Sequence, residues 1–258
     1  MKEAMDPSRP LDGFTVVELG HSVAAPFAGQ ILADLGAQVI KVEKPEGDDA
    51  RKWGPPFVDG AAVAFQALNR GKKSVLSKLR DPQEIARLKT LILERADVVI
   101  QNLRPGQVDK LGIGADELLA LKPSLVYCNM GAFGATGPLA DRPGYDPLMQ
   151  AYGGIMSING HAGQPPARVP VSMVDMGTGM WAVTGILAAL RERDRTGRGA
   201  HVTTALFDTA LAWSVFQMSH YFATGEVPRP QGSGTAIDRK STRLNSSHIQ
   251  KSRMPSSA

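Results

Sequence analysis

Short apolar runs rich in β-branched residues alternate along the chain with longer segments that place an apolar residue every three or four positions. The runs have the length and composition of buried strands. The predicted strands cover residues 14–19, 38–43, 97–100, 125–129 and 201–206. The predicted helices cover residues 26–35, 82–95, 115–121 and 208–223. This alternation predicts an α/β fold, with an open, mostly parallel sheet that carries helices on both faces.

The most informative segment spans residues 169–181. An apolar run ends at Asp175, Gly177 and Gly179 follow, and a helical pattern begins near Trp181. The apolar face of that helix consists of Trp181, Val183, Ile186, Leu187 and Leu190. We expect a strand, a tight turn and a helix, with Asp175 at the carboxyl end of the strand, where open α/β sheets bind ligands. Small glycines there would let a bulky substrate come close. The alternative is that Asp175 caps the helix.

The first strand–helix–strand unit does not carry the pattern of a dinucleotide site. Its loop, residues 20–25, lacks the G-x-G-x-x-G spacing that brings a backbone close to a pyrophosphate. Glu43 ends the second strand, where a ribose-binding acid would stand, but without the glycines it is weak evidence. The sequence therefore disfavours NAD binding.

Composition is that of an ordinary soluble enzyme. The 258 residues suffice for one large or two small domains, and 43% are hydrophobic and 21% charged. No apolar run reaches membrane-spanning length, and the N-terminal residues lack a signal-peptide core, so we expect no membrane partner. Cys128 is the single cysteine and falls in a predicted strand, which favours a core residue over a nucleophile. A cytoplasmic location is expected.

The basic character of the chain belongs to its last twenty residues. Residues 239–258 contain five Lys or Arg and no Asp or Glu, so the net charge of +4 becomes −1 for residues 1–238. No nucleic-acid partner is therefore expected. The tail is Ser-rich and has little to bury. It is similar to translated adapter or vector sequence, which predicts a non-native end, with the natural sequence stopping near Ala236. A native disordered arm is the alternative.

A series of motifs in fixed order carries a family resemblance. The motifs are residues 11–20, 25–28, 32–43, 68–74, 102–106, 125–127, 131–137, 142–146, 185–190 and 196–199. Over residues 11 to about 225 the chain resembles the class III, CaiB/BaiF-type CoA-transferases. That resemblance implies a Rossmann-like large domain at 1–225. The Gly- and Pro-rich residues that follow predict the start of a linker at 226–238, and the Ser-rich composition predicts a disordered tail at 239–258. The resemblance further implies that a smaller second domain is missing.

The resemblance implies coenzyme A, or an acyl-CoA, as a substrate, with no metal. CoA is anionic, so a site for it needs cationic groups and exposed N–H donors. By matching position, the implied CoA-binding residues are His21, Ser22, Val23, Ala24, Lys44, Arg80, Asn102, Arg104, Lys110 and Tyr145. Any of the Lys or Arg taken singly would also suit a solvated surface.

For Asp175 the resemblance implies nucleophilic catalysis. The carboxylate would attack the thioester of an acyl-CoA to form an anhydride, the released CoA would form an aspartyl thioester, and an incoming carboxylic acid would then receive the CoA. Racemases of 2-methylacyl-CoA share the fold and are the alternative. They carry Gly-His-Asp where this chain has Gly144, Tyr145 and Asp146. Tyrosine is a poor base at neutral pH, which favours the transferase.

The family resemblance also implies a homodimer of two interlocked rings. Each ring depends on the second domain and on the return of the chain to the first, and we expect both to be absent here. A third hypothesis is therefore that this polypeptide is an inactive fragment of such an enzyme. Bare apolar surface would then favour aggregation.

Overall fold

The computed structural model describes residues 9–234. The predicted tail at 239–258 and the last residues of the predicted linker lie outside this range. The described part of the chain divides into two compact units, the first comprising residues 9–146 and 172–209, the second residues 147–171 and 210–234. The single large domain over residues 1–225 stays a prediction.

Six strands form one parallel sheet in the first unit. The strands within residues 9–234 are β1 (Thr15–Leu19), β2 (Gln38–Glu43), β3 (Phe57–Val58), β4 (Ala61–Ala62), β5 (Lys73–Leu76), β6 (Val98–Gln101), β7 (Val126–Gly131) and β8 (His201–Ala205). The sheet order is β5-β2-β1-β6-β7-β8, and every neighbouring pair is parallel. Strands β3 and β4 form a separate antiparallel pair. The predicted open parallel sheet is confirmed.

Ten α-helices and one 3₁₀ turn lie in the described range. They are α1 (Ala24–Asp34), the 3₁₀ turn Asp49–Lys52, α2 (Val63–Asn69), α3 (Pro82–Arg95), α4 (Gln107–Lys110), α5 (Ala115–Leu121), α6 (Asp146–Tyr152), α7 (Ile155–Ile158), α8 (Met173–Thr196), α9 (Leu206–Trp213) and α10 (Val215–Thr224). The predicted bounds of α3 and α5 agree with the structure. Asp81 caps α3 by accepting a hydrogen bond from the backbone N–H of Gln83, and Pro82 occupies the first turn, both typical of a helix start.

Helices cover both faces of the sheet, as predicted. On one face, Val17 and Leu19 of β1 pack into an apolar cluster with Ile92 of α3 and Leu118 of α5. On the other face, α1 and α8 pack against each other and against the strands. Side chains alternate along a strand, so Glu18 points to this second face. It is fully buried there.

The predicted strand before Asp175 is wrong. Helix α8 begins at Met173, so Asp175 lies in its first turn and Gly179 lies within the helix. A β-carbon at Gly179 would lie 2.8 Å from the carbonyl oxygen of Ala24 and 3.3 Å from the amide nitrogen of Ala28. The absence of a side chain therefore allows α8 to approach α1, instead of making room for a substrate.

The predicted apolar face of α8 is confirmed in part. Val183, Ile186 and Leu190 are buried, whereas Trp181 and Leu187 are 48% and 38% exposed. By length and composition alone α8 could cross a membrane, contrary to the expectation from the sequence. Half of the apolar stretch of α8 is buried inside the fold, and core helices of soluble proteins meet the same criterion of length and composition.

Two further segments differ from their predictions. The predicted helix at 208–223 is two helices, α9 and α10. Between them the N–H of Ser214 is shared by the carbonyl oxygens of Ala210 and Leu211, which tightens the last turn of α9. Strand β5 is absent from the predicted strands. It is a short edge strand, exposed along its whole length, so it shows no apolar pattern.

In the second unit, the buried side chain of Gln150 holds an extended segment in place. Its Nε2 donates to the carbonyl oxygens of Val169 and Val171 at 3.2 and 3.3 Å, and its Oε1 accepts from the N–H of Val169 at 2.8 Å. These bonds satisfy backbone groups that no sheet neighbour reaches. The apolar run that resembled a strand is therefore extended but is held by a side chain.

Candidate active site

Two cavities lie at the carboxyl ends of the parallel strands, where ligands of open α/β sheets bind. Cavity 1 has a volume of about 650 Å³ and follows β1, β2 and β5. Cavity 2 has a volume of about 100 Å³ and follows β6 and β7, with the first turns of α8 in its wall. His21 and Leu103 line both cavities, which therefore adjoin.

Cavity 1 is rich in charge of both signs. Its charged lining residues are Glu43, Lys44, Glu46, Asp48, Asp49, Lys78 and Arg80. The carboxylate of Glu43 is fully engaged: it accepts two 2.7 Å hydrogen bonds from Arg51 and one of 2.6 Å from Ser74. Burial opposes its ionisation, but these donors and the N–H of Asp48 hold the pKa of Glu43 at about 2. A carboxylate occupied in this way has little capacity left to accept from a ribose hydroxyl. The absence of NAD binding stays a prediction.

Cavity 2 brings a carboxylate together with two guanidinium groups. Asp175 lies in its wall with Arg104, Arg142 and Tyr145. The carboxyl end of β7 also contributes through Gly131. The cavity can therefore hold an anionic substrate beside a carboxylate, since arginine recognises planar anions through paired N–H donors.

Asp175 is held by a second carboxylate from a distant part of the chain. Oδ2 of Asp146 accepts hydrogen bonds from the N–H groups of Val174 and Asp175, at 2.8 and 3.2 Å. It thereby satisfies the start of α8, where the N-cap residue Ser172 makes no side-chain cap bond. Burial and, second, the Asp146 carboxylate raise the pKa of Asp175 to about 7. Asp175 is therefore partly ionised at neutral pH.

This raised pKa leads to a prediction for the Asp146→Asn variant. The family resemblance implies that Asp175 is a nucleophile, which must be ionised to react. On that hypothesis its reaction with an acyl-CoA should accelerate as the pH rises through about 7. Asn keeps an acceptor for Val174 but removes the charge. The midpoint of the rate–pH profile should therefore move to lower pH, while remaining above the ordinary Asp value because burial is the larger cause.

The measurement is the first-order rate of Asp175 acylation between pH 5 and 9. Asp146→Ala is the comparison, because it removes the charge and also the acceptor, and should cost about 1–2 kcal/mol of unfolding free energy through the lost cap. An unchanged midpoint in Asp146→Asn would contradict the assigned coupling between the two carboxylates.

The structure brings most of the predicted site residues together. Cavity 2 is lined by His21, Ser22, Val23, Ala24, Asn102, Arg104, Tyr145 and Asp175. Cavity 1 is lined by His21, Lys44 and Arg80. Lys110 lines neither cavity, although Gln107 of the same helix lines cavity 1. Contact of each residue with CoA stays a prediction.

Asn102 has a structural role that its position in the sequence did not reveal. Its Oδ1 accepts from the N–H of His21, and its Nδ2 donates to the carbonyl oxygen of His21, both at 2.9 Å. The imidazole Nδ1 of His21 lies 2.9 Å from Oγ of Ser22. Burial lowers the pKa of His21, which favours the neutral ring. Asn102 therefore fixes the residue that the two cavities share.

Sequence reasoning missed Asp146, Arg142 and Lys78. Asp146 and Arg142 stand in the motif at 142–146, so a signal for them was present. Lys78 follows the edge strand β5, which the sequence pattern did not show. Among residues 9–234, no group of three or more His, Cys, Asp or Glu could hold a metal ion. Cys128 is buried, and burial raises the pKa of its thiol to about 12, which confirms a core residue.

Comparison with known proteins identifies the family. The profile of CoA-transferase family III matches residues 11–242. The succinate–glutarate CoA-transferase of Agrobacterium fabrum is 43% identical over 226 residues, which are 85% of this chain and 56% of that protein. The acetyl-CoA:oxalate CoA-transferase of Acetobacter aceti is 41% identical. The match covers 88% of this chain and 58% of that protein.

A solved structure gives the same result. A CaiB/BaiF family protein from Brucella suis has a TM-score of 0.84 and 45% sequence identity, over 87% of this chain and 60% of that one. The chain thus spans little more than half the length of the relatives it matches. These matches confirm the resemblance in the motifs: the chain belongs to CoA-transferase family III.

Proposed function

We propose that this chain forms the CoA site and carries the nucleophile of an acyl-CoA:carboxylate CoA-transferase. The observation that supports this most strongly is the position of Asp175. It lies at the start of α8 in the wall of cavity 2, which adjoins the larger cavity 1. Family membership supports the same assignment, because relatives such as those of A. fabrum and A. aceti are named as CoA-transferases.

Cavity 1 suits the nucleotide part of CoA. Its volume of about 650 Å³ lies in the range of pockets for ligands of this size, and Lys44, Lys78 and Arg80 in its wall suit phosphate groups. The pantetheine arm would pass His21 and Leu103, the residues common to both cavities. This route brings the thioester to Asp175 in cavity 2.

The chemistry then proceeds through covalent steps on Asp175. A carboxylate oxygen attacks the thioester carbon, the C–S bond breaks, and CoA leaves as thiolate with an aspartyl–acyl anhydride remaining. The thiolate attacks the aspartyl carbonyl, which releases the donor carboxylate and forms an aspartyl-CoA thioester. The acceptor carboxylate displaces CoA to form a second anhydride. Attack of the thiolate on the acceptor carbonyl gives the new acyl-CoA and restores Asp175.

The location of Asp175 favours these steps in three ways. The residue is partly buried, and a pKa of about 7 keeps an ionised fraction of its carboxylate at neutral pH. The amino end of the 24-residue helix α8 carries a partial positive charge, which stabilises negative charge that develops nearby. Arg104 and Arg142 in the same cavity suit the carboxylates that enter and leave.

A 2-methylacyl-CoA racemase is the second candidate, because His21 lines cavity 2 together with Asp175. Racemisation needs an acid or base on each side of the carbon next to the thioester. The transferase is favoured because Tyr145 stands where the racemases carry histidine. Its side chain is 60% exposed, and a phenol is a poor base at neutral pH.

The test uses succinyl-CoA as donor and glutarate as acceptor, since the A. fabrum relative is named for succinate and glutarate. We expect the 258-residue chain to form glutaryl-CoA, detected by mass spectrometry, in D₂O buffer and without deuterium at the carbon next to the thioester. Deuterium uptake into a 2-methylacyl-CoA without CoA transfer would support the racemase. Absence of both reactions and of CoA binding would support the inactive fragment. The homodimer, the domain limits and the cytoplasmic location stay predictions.

A further inference from the structure

The backbone of the loop after β1, residues 20–23, is held by side chains from other elements. Nζ of Lys41 donates to the carbonyl oxygen of Gly20 at 2.8 Å. The side chain of Asn102 bonds both the N–H and the carbonyl oxygen of His21. Oδ1 of Asp48 accepts from the N–H of Ser22 at 3.3 Å. Three side chains from separate parts of the sequence thus fix three consecutive residues, which line the two cavities.

The loop needs this support because its conformation is unfavourable. Ser22 has a φ of +67°, in the left-handed region that residues with a β-carbon rarely adopt. Such a conformation persists where the surrounding structure over-determines it, and it is concentrated at functional sites. The hydrogen bond from the backbone N–H of Ser22 to Asp48 helps to hold this residue in that conformation.

The position of Asp48 is itself fixed by a buried series of ion pairs. Its Oδ2 lies 3.0 Å from Nζ of Lys41, which lies 3.0 Å from Oε1 of Glu18. Oε2 of Glu18 lies 2.8 Å from Nζ of Lys72. No side chain of the four exceeds 2% exposure. Signs alternate along the chain of charges, so the group is neutral as a whole, and displacing one member leaves a buried charge without its partner.

Stability alone does not account for this arrangement. A buried ion pair adds little to the free energy of unfolding compared with apolar residues of similar size. One established use of buried ion pairs is to specify a single conformation. Here the chain of charges ends at the loop that both cavities share. The conformation specified is therefore that of the CoA-binding wall.

We propose, on the basis of the proposed function, that Asp48 is a positioning residue for CoA binding. Its carboxylate joins the buried Lys41 to the N–H of Ser22 and so holds residues 20–23 in their binding conformation before CoA arrives. A preordered loop does not have to be ordered on binding, and that saving in conformational entropy appears as affinity.

Two variants at one position separate the contributions. Asp48→Ala removes both the ion pair with Lys41 and the acceptor for Ser22, whereas Asp48→Asn keeps an acceptor and removes the charge. Asp48 also caps the 3₁₀ turn through the N–H of Ala50 at 2.9 Å. Asp81→Ala is the matched control. Asp81 accepts in the same way from the N–H of Gln83, also at 2.9 Å, and lines neither cavity.

The experiment measures CoA affinity by calorimetry and amide hydrogen exchange of residues 20–23 in the free, full-length chain. For Asp48→Ala we expect CoA to bind at least about tenfold more weakly, which is about 1.4 kcal/mol, together with faster exchange in the loop. Asp48→Asn should fall between Asp48→Ala and the unchanged chain. Asp81→Ala should lose stability but keep both the CoA affinity and the loop exchange.

The outcomes distinguish this inference from the proposed function. Unchanged CoA affinity and loop exchange in Asp48→Ala, with CoA binding retained, would overturn the positioning role alone. An equal loss of affinity in Asp81→Ala would also overturn it, because the effect would then follow general stability. Failure of the unchanged chain to bind CoA would overturn the proposed function and this inference together.

Discussion

Replacement of Asp175 by Asn should abolish CoA transfer while leaving CoA bound. The amide is close in size to the carboxylate but cannot form the anhydride, so we expect transfer from succinyl-CoA to fall by at least about a thousandfold, as for other essential nucleophiles. The CoA affinity should stay within about threefold, because cavity 1 lies apart from Asp175 and contains the cations assigned to the phosphates. Transfer rates and calorimetry on the same preparation measure the two quantities.

Asp194→Asn provides the matched control for this variant. Asp194 lies on the same helix, near its other end, and is exposed, so its replacement should leave transfer unchanged. Appreciable turnover in Asp175→Asn, with Asp194→Asn fully active, would remove Asp175 from the mechanism. A loss of CoA binding in Asp175→Asn would instead place Asp175 in the binding site.

Replacement of Lys41 by Met should produce the largest loss of stability. Lys41 is 1% exposed and pairs with Glu18 and Asp48, each at 3.0 Å. Burial opposes the charge on Lys41, but the two carboxylates raise its pKa, so the ammonium is the stable form in the fold. Met fills a similar volume without the charge and leaves the two buried carboxylates, Glu18 and Asp48, with Lys72 as the one cation of the group. We expect the free energy of unfolding to fall by about 3–5 kcal/mol.

Urea denaturation measures this loss, with Lys89→Met as the control. Lys89 pairs with Glu117 at the surface, and an exposed pair contributes less than about 1 kcal/mol. A loss below about 1 kcal/mol for Lys41→Met would show that the buried charges readjust or admit water. The proposal that Lys41 helps to hold the loop at residues 20–23 would then be wrong.

The regular part of the fold could be predicted from the sequence because its signals are local. The strand at 38–43 and the helices at 82–95 and 115–121 have the predicted bounds. An apolar run of strand length suffices to predict the strand, and a cap such as Asp81 suffices to predict the start of a helix. The start of α8 could not be predicted in this way. The backbone N–H of Val174 in its first turn donates to Asp146, which lies 28 residues earlier in the chain. Gly179 has no side chain and so allows close contact between α8 and α1.

The candidate site shows the same division. Motif positions led to Asp175 and to the loop at 20–23, but not to the residues that hold them. One signal was available: Glu18 and Lys41 each interrupt an apolar strand, and they occupy matching positions in the register of β1 and β2. Opposite charges placed in two buried strands predict an ion pair once the strands are known to be neighbours. Asp48 and Lys72 carry no such signal, because loops bring them to the pair.

Detection of a covalent intermediate would show whether Asp175 is the nucleophile. The chain would be mixed with succinyl-CoA, quenched with hydroxylamine and digested, and the peptide that contains Asp175 would be examined by mass spectrometry. We expect an aspartyl hydroxamate at Asp175 and at no other carboxylate, with none formed in Asp175→Asn. An unmodified Asp175 under conditions in which the chain turns over acyl-CoA would contradict nucleophilic catalysis by Asp175.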